Sequence, residues 1–205
     1  MQTINKSAVK KTFTHTWYLY PIAIIIVSLL WLWGFQAFHQ PSAHQMLTIF
    51  FASNVRDSSF ADKILDHYDR EDLREIRVTY NLPSMMGFGD KLQVAINNAD
   101  ILVLDEVTLS SFNEHHQNFF VDINQEVKTK YMSPSYSYYS YAEKDYGILI
   151  NNKEYLEQYM EFEEGRSYYL TLSVASKNLG NLYEPDNEHY DNALTAIKYL
   201  LTESR

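Results

Sequence analysis

DKLQVAINNADILVLDE, residues 90–106, decides how the rest of the chain is read. Its first half sets Leu92, Val94, Ala95 and Ile96 at spacings that predict a helix burying an apolar side, with Asp90 available as its cap. Its second half, Ile101 to Leu104, is apolar without interruption. A strand buried between two layers has that composition. A helix that runs directly into such a strand is a building unit of a parallel sheet covered on both faces.

The flanking sequence repeats the pattern. MLTIFF (46–51) reads as a first strand and Ala52-Ser53-Asn54 as the turn after it. Phe60, Ile64, Leu65 and Tyr68 fall at helical spacing within 57–70, where Asp57 or Ser58 is a suitable cap. IRVTY (76–80) alternates as a second strand, Pro83 ends it, and Ser84 to Gly89 is a loop. Beyond the central stretch, Thr108 to Gln117 reads as a helix, and 119–131 as a short extended piece and a helical turn. YGILI (146–150) and YYLTLSV (168–174) are a fourth and a fifth strand, separated by a short helix over 153–160. A closing helix is expected over about 188–202. The expected fold is therefore α/β: a mostly parallel five-stranded sheet with helices on both faces, formed by residues 46–205.

Before this domain stands an apolar run from Trp17 to Phe38 that holds no acid and no base. As a helix it would extend roughly 33 Å, enough to cross the hydrocarbon core of a bilayer. Trp17, Tyr18 and Tyr20 lie at one end and Trp31, Trp33 and Phe35 near the other, as interfacial aromatic belts do. Lys6, Lys10 and Lys11 precede it, so the positive-inside rule puts residues 1–16 in the cytoplasm and the domain outside. A cleaved signal peptide has the same general form, but Gly34, Gln36, Ala37 and Phe38 make a poor cleavage site. The expected organisation is a cytoplasmic arm (1–16), an uncleaved transmembrane anchor (17–38), a connector (39–45) and an extracytoplasmic domain (46–205).

Composition excludes several classes of function. The chain has no cysteine, which removes disulfides, cysteine nucleophiles and cysteine-ligated metals together. Its net charge is −9, and every acid lies after the apolar run while three lysines lie before it. That argues against nucleic acid and anionic head groups as partners of the domain. ILVLDE has the composition of a Walker B strand, yet no GxxxxGK[ST] phosphate loop accompanies it, and GFGD at 87–90 is no substitute. His115 and His116 are adjacent, so on a helix they diverge by about 100° and do not share an ion; solvated surface is the expectation. Residues 186–192 resemble a calcium loop in composition only. No triad or carboxylate pair stands out, so no catalytic residue, cofactor or metal is assigned.

Ligands of open parallel sheets sit beyond the carboxyl ends of the strands. That edge would carry Ser53 and Asn54 after the first strand and Asp105 and Glu106 after the third. These four are the candidate ligand-binding residues. Turn and cap duty explains the same residue types. YMSPSYSYYSY (131–141) is the most unusual local composition. Tyr136, Tyr138, Tyr139 and Tyr141 would serve either as an aromatic interaction surface or as a cover folded over the sheet.

Four stretches resemble the extracellular solute-binding proteins of bacterial ABC importers, the two-lobed type 2 binding fold. They are MLTIFFASN (46–54), DKLQVAINNADILVLDE (90–106), YGILINN (146–152) and SKNLGNLYEPDNEHYDNALTAIKYLL (176–201). The interval between Leu104 and Tyr146 is too short to hold that family's second lobe, so the resemblance implies a single lobe. It further implies recognition of a sugar or other small solute, an ABC permease as partner, and no enzymatic activity. The competing expectation is a structural or assembly protein of the cell envelope without a small ligand.

Overall fold

The computed structural model describes residues 17–39, 41–66, 73–151, 154–179 and 191–202, and the chain divides into two units, Met1–Gln40 and Pro41–Arg205. The arm expected to be cytoplasmic (1–16), part of the helix expected over 57–70, and residues 186–190 of the stretch with calcium-loop composition lie outside the described residues.

In the first unit, helix α1 (Leu19–His39) has Pro21 in its first turn, where the missing N–H leaves no helical bond unmade. From Leu19 to Phe35 its side chains are apolar around the circumference except at Ser28, and exposed, up to 73% at Trp31. Among the described residues no helix is long and apolar enough to cross a membrane.

The second unit is an α/β domain around a six-stranded sheet. In chain order the elements are β1 (Met46–Phe51), β2 (Asn54–Val55), α2 (Phe60–Leu65), β3 (Glu75–Tyr80), α3 (Phe88–Asn98), β4 (Ile101–Asp105), α4 (Glu106–Ser110) and α5 (His116–Phe119). There follow α6 (Gln125–Tyr131), β5 (Tyr138–Tyr141), β6 (Lys144–Leu149), α7 (Glu154–Glu157), β7 (Met160–Glu161), β8 (Tyr168–Leu172) and α8 (Asn192–Thr202). The sheet order is β3-β1-β4-β8-β6-β5, and β2 and β7 form a separate two-stranded ribbon.

The sheet is mixed, which corrects the expectation of a mostly parallel five-stranded one. β3, β1 and β4 are parallel, with Leu47 beside Ile76 and Ile49 beside Ile101. β8 runs antiparallel to both β4 and β6. Residues 150–167 are numerous enough for a parallel crossover, but the described ones hold only the single turn of α7 and the two-residue β7, not a helix that carries the chain back along the sheet. β8 therefore enters from the carboxyl edge. The sixth strand, β5, comes from the tyrosine segment and forms a hairpin with β6.

Alternation along the strands feeds two cores. Leu47, Ile49 and Phe51 of β1, with Ile101 and Val103 of β4, pack toward α2, α6 and α8. Phe50, Ala52, Leu102 and Leu104 pack toward α3, α4 and Phe120. The three layers are thus helix, sheet, helix, as the doubly apolar strands require. Gly147 of β6 permits the close approach of β8: a Cβ there would stand 3.0 Å from Tyr169 Cβ and 3.2 Å from Thr171 Cγ2.

Two helices differ from their expected limits. α3 starts at Phe88 after Gly87, whose φ of 79° is a glycine conformation, rather than at an Asp90 cap. It buries Leu92, Ala95 and Ile96, while Val94 is 62% exposed. The helix expected over 108–117 is broken. Asp105 caps α4 directly through Thr108 N–H, and the Ser110 and Ser111 hydroxyls donate back to Val107 and Thr108 carbonyls, ending it early.

Candidate functional site

Because β1, β3 and β4 are parallel, their carboxyl ends bring Ser53, Asn81 and Asp105 to one edge of the sheet. Ser53 and Asn81 are buried, and among the described residues Ser53 Oγ and Asn81 Nδ2 have no hydrogen-bond partner. Asp105 is 1% exposed but fully engaged: it accepts from Thr108 N–H at 3.1 Å and from Arg166 at 2.7 Å. Arg166 is held in turn by Glu163 at 2.8 Å. Asn54 donates to Glu161 at 3.1 Å, and Arg56 reaches the same carboxylate at 3.5 Å, so both secure the β2–β7 ribbon. Glu106 is exposed on α4, and its charge adds to burial in raising the Tyr139 and Tyr169 phenols. The four residues singled out in the sequence share an edge and do not form one open site. Asn81 was missed there; its place directly after an alternating strand was the available signal.

The tyrosines are distributed over both faces of the sheet. Tyr136 and Tyr138 pack against the core beneath α6 and α8, and Lys128 Nζ lies 4.6 Å from the centre of the Tyr138 ring. Lys128 also pairs with Asp145; burial raises that carboxyl, but Lys128 and the Ser140 hydroxyl outweigh it and hold it below the usual range. Tyr139 and Tyr141 join the opposite core, Tyr141 stacking on His116 at 4.7 Å. All four rings are half-buried in packing, as a cover would have them.

His116 is 1% exposed, which corrects the expectation of a solvated histidine. A bulge in the hairpin accounts for its surroundings. Tyr139 pairs with Gly147 and Ser140 with Asp145, so the unmatched Tyr146 turns toward His116 and stacks on it at 5.4 Å. A cavity of about 290 Å³ opens beside these rings. Among the described residues no cluster of three or more metal-ligating side chains occurs.

The amino edge is closed by Asp100. Its Oδ2 accepts from Thr48 N–H at 2.7 Å, and its Oδ1 accepts from Ser176 Oγ at 2.6 Å and Asn178 Nδ2 at 3.0 Å. Burial pushes this carboxyl up, against the lowering effect of those bonds. Asp100 joins β1, β4 and the segment after β8; it is a latch.

A larger concavity than the one beside His116 lies elsewhere, as a groove of about 550 Å³ between α3 and β3. Its origin is sequence. Thr48 and Phe50 of β1 pair with Arg77 and Thr79 of β3, so the α3-facing side of β3 carries no large apolar side chain to fill the gap. On the helix, Ala95 and Ala99 face the groove and are small. Phe50 and Val94 make the lining mainly apolar, the Val78–Tyr80 stretch of β3 forms its wall, Thr48, Thr79 and Asn98 offer hydrogen bonds, and Asp90 and Lys91 stand at one end. Its volume is in the range of small-molecule sites.

Comparison with protein families, curated proteins and solved structures finds no match.

Proposed function

We propose that this chain is a membrane-anchored extracytoplasmic recognition module, and that its binding site is the groove between α3 and β3. The carrying observation is the groove itself: a mainly apolar concavity of ligand size with a few hydrogen-bonding groups and, among the described residues, no side chain filling it. The chemistry fits an apolar ligand bearing one or two polar groups. A sugar at the carboxyl edge fits less well, since Asn54 and Asp105 are engaged by Glu161, Thr108 and Arg166.

The anchor is supported by the uncharged run from Trp17 to Phe38 and by the apolar circumference of α1. The lysines before it support an outward-facing domain. The single-lobe likeness to a solute-binding protein belongs to the same proposal, with four strands running one way and residues 41–205 forming one compact unit. A transporter subunit or another protein of the same membrane is the partner this implies. The second reading, an envelope scaffold with no small ligand, is favoured by the engaged state of Asn54 and Asp105.

Both cores lie wholly within residues 41–205, so that unit is expected to fold without α1. Titrating it with N-phenyl-1-naphthylamine, an apolar fluorophore, tests the groove. Saturable enhancement is expected, lost in Val94→Glu at an unchanged melting temperature because Val94 is exposed. Equal enhancement in the variant, or none in either protein, would leave the scaffold reading in place.

A further inference from the structure

The free edge of β3 carries a charge pattern that is complementary to itself. β3 ends the sheet, and no described strand pairs with its outer side. Asn81 N–H donates to Phe51 O, continuing the β1–β3 ladder. By alternation, the odd-numbered residues of β3 turn their backbone groups to β1, and Ile76, Val78 and Tyr80 turn theirs outward. Glu75 and Arg77 project from the same side of the strand, 39% and 55% exposed, and pair at 2.6 Å. The opposite edge strand, β5, is four residues long with an irregular register.

We infer that β3 pairs antiparallel with β3 of a second copy of this chain, about a two-fold axis through Ile76. In that register the ladder is confined to residues 75–77: Ile76 forms a hydrogen-bonded pair with its counterpart through outward-facing groups, while Arg74, opposite Val78, already donates its N–H to Gln45 O. Glu75 then stands opposite Arg77 of the second copy, twice by symmetry. A two-fold axis through Arg77 would set two guanidinium groups face to face. An axis through Val78 would oppose Arg77 to Thr79 and leave Glu75 without a cation. Charge therefore selects one register and one occupant. The net charge of −9 makes two copies repel, and the matched pairs offset that locally. This inference does not depend on what fills the groove.

The absence of cysteine makes the test direct. The full chain carrying Ile76→Cys, in native membranes with a mild oxidant, is expected to form a disulfide-linked dimer, whereas Arg56→Cys is not. Sedimentation of residues 41–205 gives the second readout. Arg77→Glu is expected to weaken dimerisation by about tenfold or more, and the double exchange Glu75→Arg/Arg77→Glu to restore it to within about threefold. Absence of the Ile76→Cys cross-link in membranes that hold the folded chain would overturn the inference. So would a double exchange that behaves like the single one, or a domain that stays monomeric whatever its charges. The last result would make Glu75 and Arg77 guards against edge pairing. If Ile76→Cys fails to fold, the charge exchange alone decides.

Discussion

Asp100 separates two kinds of acidic residue in this chain. Asp57 and Asp145 have carboxyls held low, Asp57 by the hydroxyl and amide of Ser59, Asp145 by Lys128 and Ser140 against its burial. Asp100 is pushed up by burial. The sign of its contribution follows. A folded value above 3.8 means that the folded state takes up the proton first as pH falls, so stability from this group rises on acidification between those two values. Chemical denaturation against pH should show wild type gaining on Asp100→Asn as pH drops from neutral toward 4. Asp100→Ala, which strands the donors on Thr48, Ser176 and Asn178, should cost about 3 kcal/mol or more. The aspartate before ILVL was visible in the sequence. Its role was not, because its partners Ser176 and Asn178 are distant in the chain and join it only when β8 lies beside β4. Ser53 and Asp105 were legible as edge residues for the opposite reason: a parallel strand fixes the side on which its end emerges. Asn54 and Asp105 were not legible as engaged, since Glu161 and Arg166 arrive on the β7–β8 segment.

At the scale of elements, the hairpin between β5 and β6 is the informative departure. Its turn places Ala142 at φ 49° and Glu143 at φ 65°, two left-handed residues where asparagine and glycine are the usual occupants. Ala142→Asn/Glu143→Gly should stabilise the domain by about 1–2 kcal/mol, read as a raised midpoint in urea. No change would mean that the turn relaxes without strain. The sequence Ala-Glu is a poor hairpin signal, which is why 131–141 reads as a loop and the sixth strand is missed. β1 and β4 were legible because their runs are apolar on both faces and short. β3 was legible as a strand, and its polar α3-facing side, Glu75-Arg77-Thr79, was the trace of an incompletely covered edge. The direction of β8 was not legible, because residues 150–167 are long enough for either a crossover or a direct return, and the sequence read a longer helix there than the single turn of α7.

The whole molecule joins an apolar helix to an acidic α/β domain, and both parts were legible from composition: one run without charges, then strands and helices in alternation. The groove was not, because it arises from what β3 lacks opposite α3 rather than from any motif. If α1 is an anchor, the full chain should stay with the membrane pellet through alkaline carbonate extraction, and deletion of residues 17–38 should release it. Release of the intact chain would oppose the anchor. The central claim is recognition in the α3–β3 groove, and amide chemical-shift mapping of residues 41–205 with N-phenyl-1-naphthylamine tests it most directly. Shifts confined to the groove around Thr48, Val78, Val94 and Ala95 are expected. Shifts gathered instead at Ser53, Asn81 and Asp105, or none at saturating fluorophore, would contradict it.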